Sequence, residues 1–180
     1  MPATRTLFVR FLLPLPILLH LTACSDQKKP EQKPARPSPP ATVAAALPGG
    51  GQLVISYSQP SAKERKVFGG LVPYGQVWRT GANEATTFQV SRNVTVQGQA
   101  LPAGKYALFT IPQEKEWTII FNKTAKQWGA YEYQEADDVL RVKATPSRAA
   151  TPLERFTITA DKAGRVTLAW EKTQVAFAVR

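Results

Sequence analysis

The sequence predicts an all-β fold, a single antiparallel sandwich of jelly-roll type. Three observations carry this. Apolar residues recur with period two along residues 52–180. Turn-forming residues punctuate that stretch every ten residues or so, the spacing of short antiparallel strands. Helical periodicity is scarce. Ser61-Ala62-Lys63-Glu64 matches a capping box, but Gly69-Gly70 follows too soon for more than one or two turns. A second short turn is expected at Thr124 to Gln127.

The strands read in order. Leu53, Ile55 and Tyr57 share one side of the first. Phe88 and Val90 lead into Val94 and Val96, closed by the turn-like Gln97-Gly98-Gln99. Tyr106, Leu108 and Thr110 alternate with Ala107, Phe109 and Ile111. Trp117 to Phe121 is apolar on both phases, so it predicts a strand covered on both faces. Leu140 and Val142 form one side of the next strand, and Phe156 and Ile158 of the one after. Val166, Leu168 and Trp170 precede Val175, Phe177 and Val179. Asp161-Lys162-Ala163-Gly164 and Lys172-Thr173 have hairpin spacing, which predicts a meander from about residue 153 to the end and roughly nine strands in all.

Residues 1–51 have a different character. Arg5 and Arg10 precede an apolar run, Phe11 to Leu19, broken by Pro14 and Pro16. The run is shorter than the roughly 20 residues of a spanning helix. It ends in Leu21-Thr22-Ala23-Cys24, and the whole resembles the signal peptide of a bacterial lipoprotein. The resemblance implies cleavage before Cys24 and acylation of that residue, so that the bilayer is a partner through its lipid. Ser25 after the cysteine favours the outer membrane and leaves the leaflet open. Residues 24–51 carry Pro30, Pro34, Pro37, Pro39, Pro40, Pro48 and Gly49-Gly50-Gly51, without apolar periodicity. They read as a flexible linker. The expected organisation is a signal peptide over 1–23, a tether over 24–51 and a β domain over 52–180.

Composition narrows the function. The 180-residue chain has a net charge of +10. The domain over 52–180 keeps 17 Lys and Arg against 11 Asp and Glu, a surplus of +6. Anionic head groups and acidic glycans fit that sign. The basic residues are scattered rather than clustered, so no nucleic acid is expected. The one histidine is His20 and the one cysteine is Cys24. A processed, lipidated chain therefore has neither imidazole nor free thiol. Serine–histidine and cysteine–histidine catalysis are excluded. So are zinc, copper and haem sites of usual ligation. No disulfide can form, and no metal or other cofactor is expected.

Three stretches stand out. One runs from Phe68-Gly69-Gly70-Leu71-Val72-Pro73-Tyr74-Gly75 through Gln76-Val77-Trp78-Arg79-Thr80-Gly81-Ala82-Asn83-Glu84-Ala85-Thr86. The second is Leu101-Pro102-Ala103-Gly104-Lys105-Tyr106-Ala107-Leu108-Phe109-Thr110-Ile111-Pro112. The third is Trp128-Gly129-Ala130-Tyr131. Together they resemble the domain of unknown function 2911 family over about residues 53–180. The resemblance implies an exported, often lipid-anchored, single-domain envelope protein and carries over no catalytic residue.

The candidate binding residues are Trp78, Arg79, Asn83, Glu84, Trp128 and Tyr131. The first four bring a cation, an amide, a carboxylate and an indole to one glycine-containing loop, where function concentrates. Arg79 can clamp an anion, and Asn83 and Glu84 can read hydroxyls. Equally, Arg79 and Glu84 can pair with each other while Trp78 plugs the core. Tyr131 and Tyr133, two residues apart, would point the same way from an extended chain and form an aromatic shelf with Trp128. They also suit a sealed sandwich edge. Glu132, Glu135, Asp137 and Asp138 lack the spacing of a calcium loop and read as a solvated run. Pro102-Ala103-Gly104-Lys105 reads as a turn entering a strand, since it lacks phosphate-loop spacing.

The leading expectation is a non-enzymatic, membrane-anchored envelope lipoprotein whose β domain binds a ligand or a partner protein. The alternatives are an enzyme using a carboxylate pair on envelope glycans, with Glu84 and either Glu132 or Asp137, and a purely structural or assembly domain.

Overall fold

The structure is a computed structural model that describes residues 36–180. The readings that fall on residues 1–35, including the signal sequence and Cys24, lie outside the described residues. Ten strands account for most of the rest: β1 (Pro40–Ala46), β2 (Gln52–Ser58), β3 (Thr86–Val90), β4 (Val94–Val96), β5 (Gln99–Leu101), β6 (Gly104–Ile111), β7 (Trp117–Asn122), β8 (Asp138–Ala144), β9 (Pro146–Ala160) and β10 (Arg165–Ala178). Six of them form one antiparallel sheet in the order β1-β2-β3-β6-β7-β8. β9 pairs with β10, and β4 with β5, as two further antiparallel pairs. The predicted all-β class holds.

The core lies between the six-stranded sheet and the two pairs. The sheet contributes Leu53, Ile55, Phe88, Leu108, Ile119, Phe121 and Val142, from the phases the alternation predicts. The pairs contribute Val94, Val96, Phe156, Ile158, Leu168, Trp170, Val175 and Phe177. Aromatic edges interlock through it: Phe88 meets Phe121 at 4.9 Å and Phe121 meets Phe177 at 6.2 Å between ring centres. β7 is covered on both faces, as its apolar run requires. Ile119 and Phe121 enter the main core, while Ile120 joins Ala85, Ala107 and Phe109 in a smaller cluster on the sheet's outer face.

Four expectations need correction. The first concerns the domain boundary. Residues 40–46, expected in the linker, form β1 and pair with β2 over seven positions from Pro40↔Ser58 to Ala46↔Gln52. None of β1's residues is fully buried. An edge strand needs no apolar face of its own, because its neighbour supplies the ladder; that is why its Ala-rich sequence carries no alternation. Gly49, Gly50 and Gly51 are the turn into β2, all with positive φ.

The second concerns the C-terminal meander. Lys172-Thr173 is not a turn. β10 runs on through it as one strand against β9, with register shifts between Ala169 and Glu171 and between Glu171 and Thr173. Glu171 is left-handed, with φ 51. A bulge reverses the phase of a strand. The inward set accordingly changes from even positions (Val166, Leu168, Trp170) to odd ones (Val175, Phe177, Val179). The sequence shows that reversal, and a hairpin and a bulge both produce it. The turn at 161–164 is real, and Gly164 is required there: its φ is +75, and a Cβ would collide with the Val179 carbonyl oxygen.

The third and fourth concern helices. Ser61 to Glu64 forms none. Lys63 and Glu64 have φ 50 and 59, and the segment hangs on β9, where the Lys63 N–H donates to Glu154 Oε1 at 2.9 Å. Residues 124–127 form no helical turn either. One short 3-10 turn occurs instead at Glu135–Asp137.

A chain starting at residue 52 therefore lacks an edge strand and the partly buried Ala41 and Val43. It is expected to melt roughly 3–6 °C below one starting at residue 36. Thermal unfolding of the two fragments, followed by circular dichroism, checks this; equal midpoints would show that β1 adds nothing.

Candidate functional site

The loop joining β2 to β3 has no regular structure to satisfy its backbone, so it borrows the neighbouring strand. The Trp78 N–H donates to the Thr110 carbonyl at 2.7 Å, and the Thr110 N–H returns the bond at 2.9 Å. Thr80 Oγ1 donates to Thr110 Oγ1 at 3.2 Å, and Thr86 Oγ1 to the Thr80 carbonyl at 2.6 Å. All three threonines are wholly buried and hydrogen-bonded. Thr80 and Asn83 take left-handed backbone angles, φ 54 and 59. Asn tolerates that geometry better than most residues.

Trp78 belongs to the core. It is 8% exposed, stacks on Trp170 at 6.0 Å, meets Phe156 edge-on at 5.1 Å and donates its indole N–H to the Gly81 carbonyl. Its side chain serves packing, so it leaves the candidate set. Arg79 is half-buried, and its Nε has no hydrogen-bond partner among the described residues. It does not pair with Glu84. Glu84 is bound instead by Arg36, whose Nη1 donates to Oε1 at 3.0 Å and to Oε2 at 3.2 Å. Asn83 Nδ2 donates to the Ser38 carbonyl at 3.3 Å. The segment just before β1 thus lies against the 83–84 loop.

The second candidate segment comes to the same place. The Ala85 N–H donates to the Gln127 carbonyl at 3.0 Å, and the Gly129 N–H to the Asn83 carbonyl at 3.1 Å, with Glu84 opposite Trp128. Residues 83–85 and 127–129 therefore form a short antiparallel bridge. Trp128 is 57% exposed and Tyr131 86%. The expected shelf does not form, because residues 129–132 are a turn rather than an extended chain. Gly129 has φ +68 and the Tyr131 ring lies across it, close enough that a Cβ would sit 2.9 Å from the ring. Tyr133 turns the other way. It packs edge-on against Phe109, donates to Asp138 Oδ2 at 2.6 Å and accepts from Arg141 Nη2 at 2.6 Å.

The acidic run is held by ion pairs. Asp137 pairs with Lys123, Glu135 and Asp138 with Arg141. Among the described residues no three acidic side chains converge on a cation site.

Two contiguous basins open on the outer face of the sheet. One, of about 340 Å³, is lined by Arg36, Thr42, Ser56, Glu84, Thr87 and Lys105, among others. The next, of about 310 Å³, shares Glu84, Ala85, Thr87 and Lys105 and adds Ala125, Lys126 and Gln127. Strand register explains the floor: Thr42 lies opposite Ser56, and Ser56 opposite Thr87. The segment around Arg36 is one wall and residues 125–127 are the other. Glu84 is held below the usual carboxylate range, first by a hydrogen bond from its own backbone N–H and then by Arg36, with desolvation opposing both. It is ionised at neutral pH.

Of the six candidates, the structure brings Asn83, Glu84 and Trp128 together by backbone pairing and sends Trp78 to the opposite face. Thr42, Ser56, Thr87 and Lys126 were not singled out by sequence, and Lys105 was read only as part of a turn entering a strand. The polar phase of β2, β3 and β6 carried the signal, since Ser56, Thr87 and Lys105 alternate with core residues. Their convergence needed the register.

A two-layer antiparallel β domain with a polar groove on its main sheet is the class this architecture defines. The chain belongs to the family described as protein of unknown function (DUF2911), whose model matches residues 38–179. The match begins two residues before β1 and so includes it, in agreement with the domain start in the structure. No curated protein and no solved structure matches the chain.

Two expectations follow. Trp78→Ala should cost about 3–5 kcal/mol of stability, while Trp128→Ala should stay within about 0.5 kcal/mol; urea denaturation of both variants separates them. The Tyr133 hydroxyl is pushed up to about 12, by burial first and then by its hydrogen bond to Asp138. The folded state thus holds this proton more tightly than the unfolded chain, whose tyrosines titrate near 10. Its contribution is complete below about pH 10 and is lost as pH rises towards 12. Tyr133→Phe should lower stability by about 1 kcal/mol at pH 8 and flatten the decline between pH 10 and 12, read from denaturant midpoints across that range.

Proposed function

We propose that this protein is a lipid-anchored lipoprotein of the bacterial envelope, favouring the outer membrane, whose β domain binds a ligand or partner in the groove around Glu84. The observation that carries the binding reading is the groove itself. It lies on a sheet face where the neighbouring half is sealed by Phe109, Ile120 and Tyr133, and it is floored by hydroxyls and rimmed by charges that a β core does not need. The anchor reading rests on Leu21-Thr22-Ala23-Cys24.

The groove favours binding over glycoside hydrolysis. That chemistry uses two carboxylates roughly 5–10 Å apart. Glu84 is the one carboxylate in the lining of the two basins among the described residues. The partners first considered for it are elsewhere: Asp137 is bound to Lys123 and Thr124, and Glu132 is exposed on the turn beyond Trp128.

Two measurements test the proposal. Cys24→Ala should shift the protein out of the membrane fraction; a variant processed and membrane-held like the parent would reject the anchor. A thermal-shift screen of the full chain against envelope saccharides, lipids and peptides should yield a stabilising ligand, by mass action on the folded state. That stabilisation should disappear in Glu84→Ala. A screen with no hit, or a hit indifferent to Glu84, leaves the structural role as the better account.

A further inference from the structure

We infer that the groove is a binding site for an acidic saccharide, with Lys105 as its central anion contact. This rests on the reading of the groove as a ligand site and names the ligand's class. Three cations line the two basins: Arg36, Lys105 and Lys126. Arg36 is engaged by Glu84, but neither Lys105 nor Lys126 has a salt-bridge partner among the described residues. Lys105 lines both basins, so a ligand crossing from one to the other passes it. The site therefore has uncompensated positive charge at its middle and at one end.

The rest of the lining distinguishes a saccharide from a bare anion. Thr42, Ser56 and Thr87 form a row of hydroxyls across three strands, in register. Hydroxyls both donate and accept, which matches sugar hydroxyls of either orientation. The Glu84 carboxylate, bonded to Arg36, lines both basins together with Lys105. It repels a simple polyanion and accepts from a hydroxyl. Gln127, 5% exposed, lines the second basin, and its Oε1 accepts no hydrogen bond among the described residues. Trp128 lines neither basin, but it lies opposite Glu84 on the bridge at the groove's border and, more than half exposed, offers an indole face of the kind that takes a sugar ring. Each basin, at 340 and 310 Å³, is at the lower limit of small-ligand pockets of roughly 300–1,000 Å³, and two in line suit an oligomer better than a compact molecule.

Both a carboxylate-bearing and a phosphate-bearing sugar meet this description, and the experiment separates them. The full chain in detergent is titrated calorimetrically with trigalacturonate, with glucosamine 6-phosphate, with neutral galactotriose and with glycerol 3-phosphate, the soluble counterpart of an anionic lipid headgroup. At least one acidic sugar should bind with a sub-millimolar Kd, about tenfold or more tighter than the neutral trimer, and should weaken as salt rises. Lys105→Ala should weaken binding about tenfold and Trp128→Ala by several-fold, with melting points unchanged, because both side chains are exposed. The inference is overturned if neither acidic sugar binds, if the neutral trimer binds as tightly, if Lys105→Ala leaves Kd unchanged, or if only glycerol 3-phosphate binds. A neutral ligand from the thermal-shift screen that depends on Glu84 would keep the groove as a ligand site and reject the acidic class alone.

Discussion

The two-way backbone bridge between Trp78 and Thr110 is the constraint on which the site depends. A loop of almost thirty residues separates β2 from β3, and without that bridge its backbone would be left unsatisfied against the sandwich. The bridge fixes the crossing. Trp78 drops its indole into the core against Trp170 and Phe156, while the chain continues through Thr80 and Gly81 towards the opposite face. The next turn then ties Asn83 to the Ser38 carbonyl and delivers Glu84 to the groove and Ala85 to the outer-face cluster. One residue's packing thereby positions its neighbours' chemistry. This explains why an aromatic and a charged residue so close in sequence serve different layers.

The outer face of the main sheet is divided. Over β6 and β7 it is apolar, and the segment from Ala125 to Tyr133 covers it, with Ala130 and Tyr133 packed on Phe109 and its neighbours. Over β1 to β3 the same face is polar and open. A sheet with one wholly apolar face and one wholly polar face would have no groove. The groove exists at the seam because residues 125–127, leading into the covering segment, border it on one side and the segment before β1 approaches from the other. The Arg36–Glu84 pair spans that seam. Both partners are about half exposed, so the pair contributes little to stability and mainly fixes where the chain enters the domain.

Much of this was legible in the sequence. Period-two alternation located eight of the ten strands and the correct inward phase, because burial on one face imposes that period on side chains. β1 escaped, since an Ala-rich edge strand bears no such imprint. The bulge at Glu171 escaped because a phase reversal is common to bulges and hairpins. At the site, the 83–84 and 128 segments were identifiable from groups a core does not use. Their pairing with each other, the exchange of Arg79 for Arg36 as Glu84's partner and the hydroxyl row were not. Each depends on which strands become neighbours, and register is a property of the assembled sheet.

The position of β1 also has a mechanical meaning. With the chain anchored through Cys24, as proposed, a pull between membrane and domain passes, among the described residues, first through Arg36 and then through Pro40, the first paired residue of an edge strand. The ladder between β1 and β2 is antiparallel and joined by a tight turn, so a load directed across it opens it rung by rung, whereas one along it shears all seven rungs at once. The domain would yield there first, lengthening the tether while the main core stays shut. The same peeling would draw Arg36 off Glu84 and dismantle one wall of the groove, so that tension on the anchor and occupancy of the groove become opposing forces.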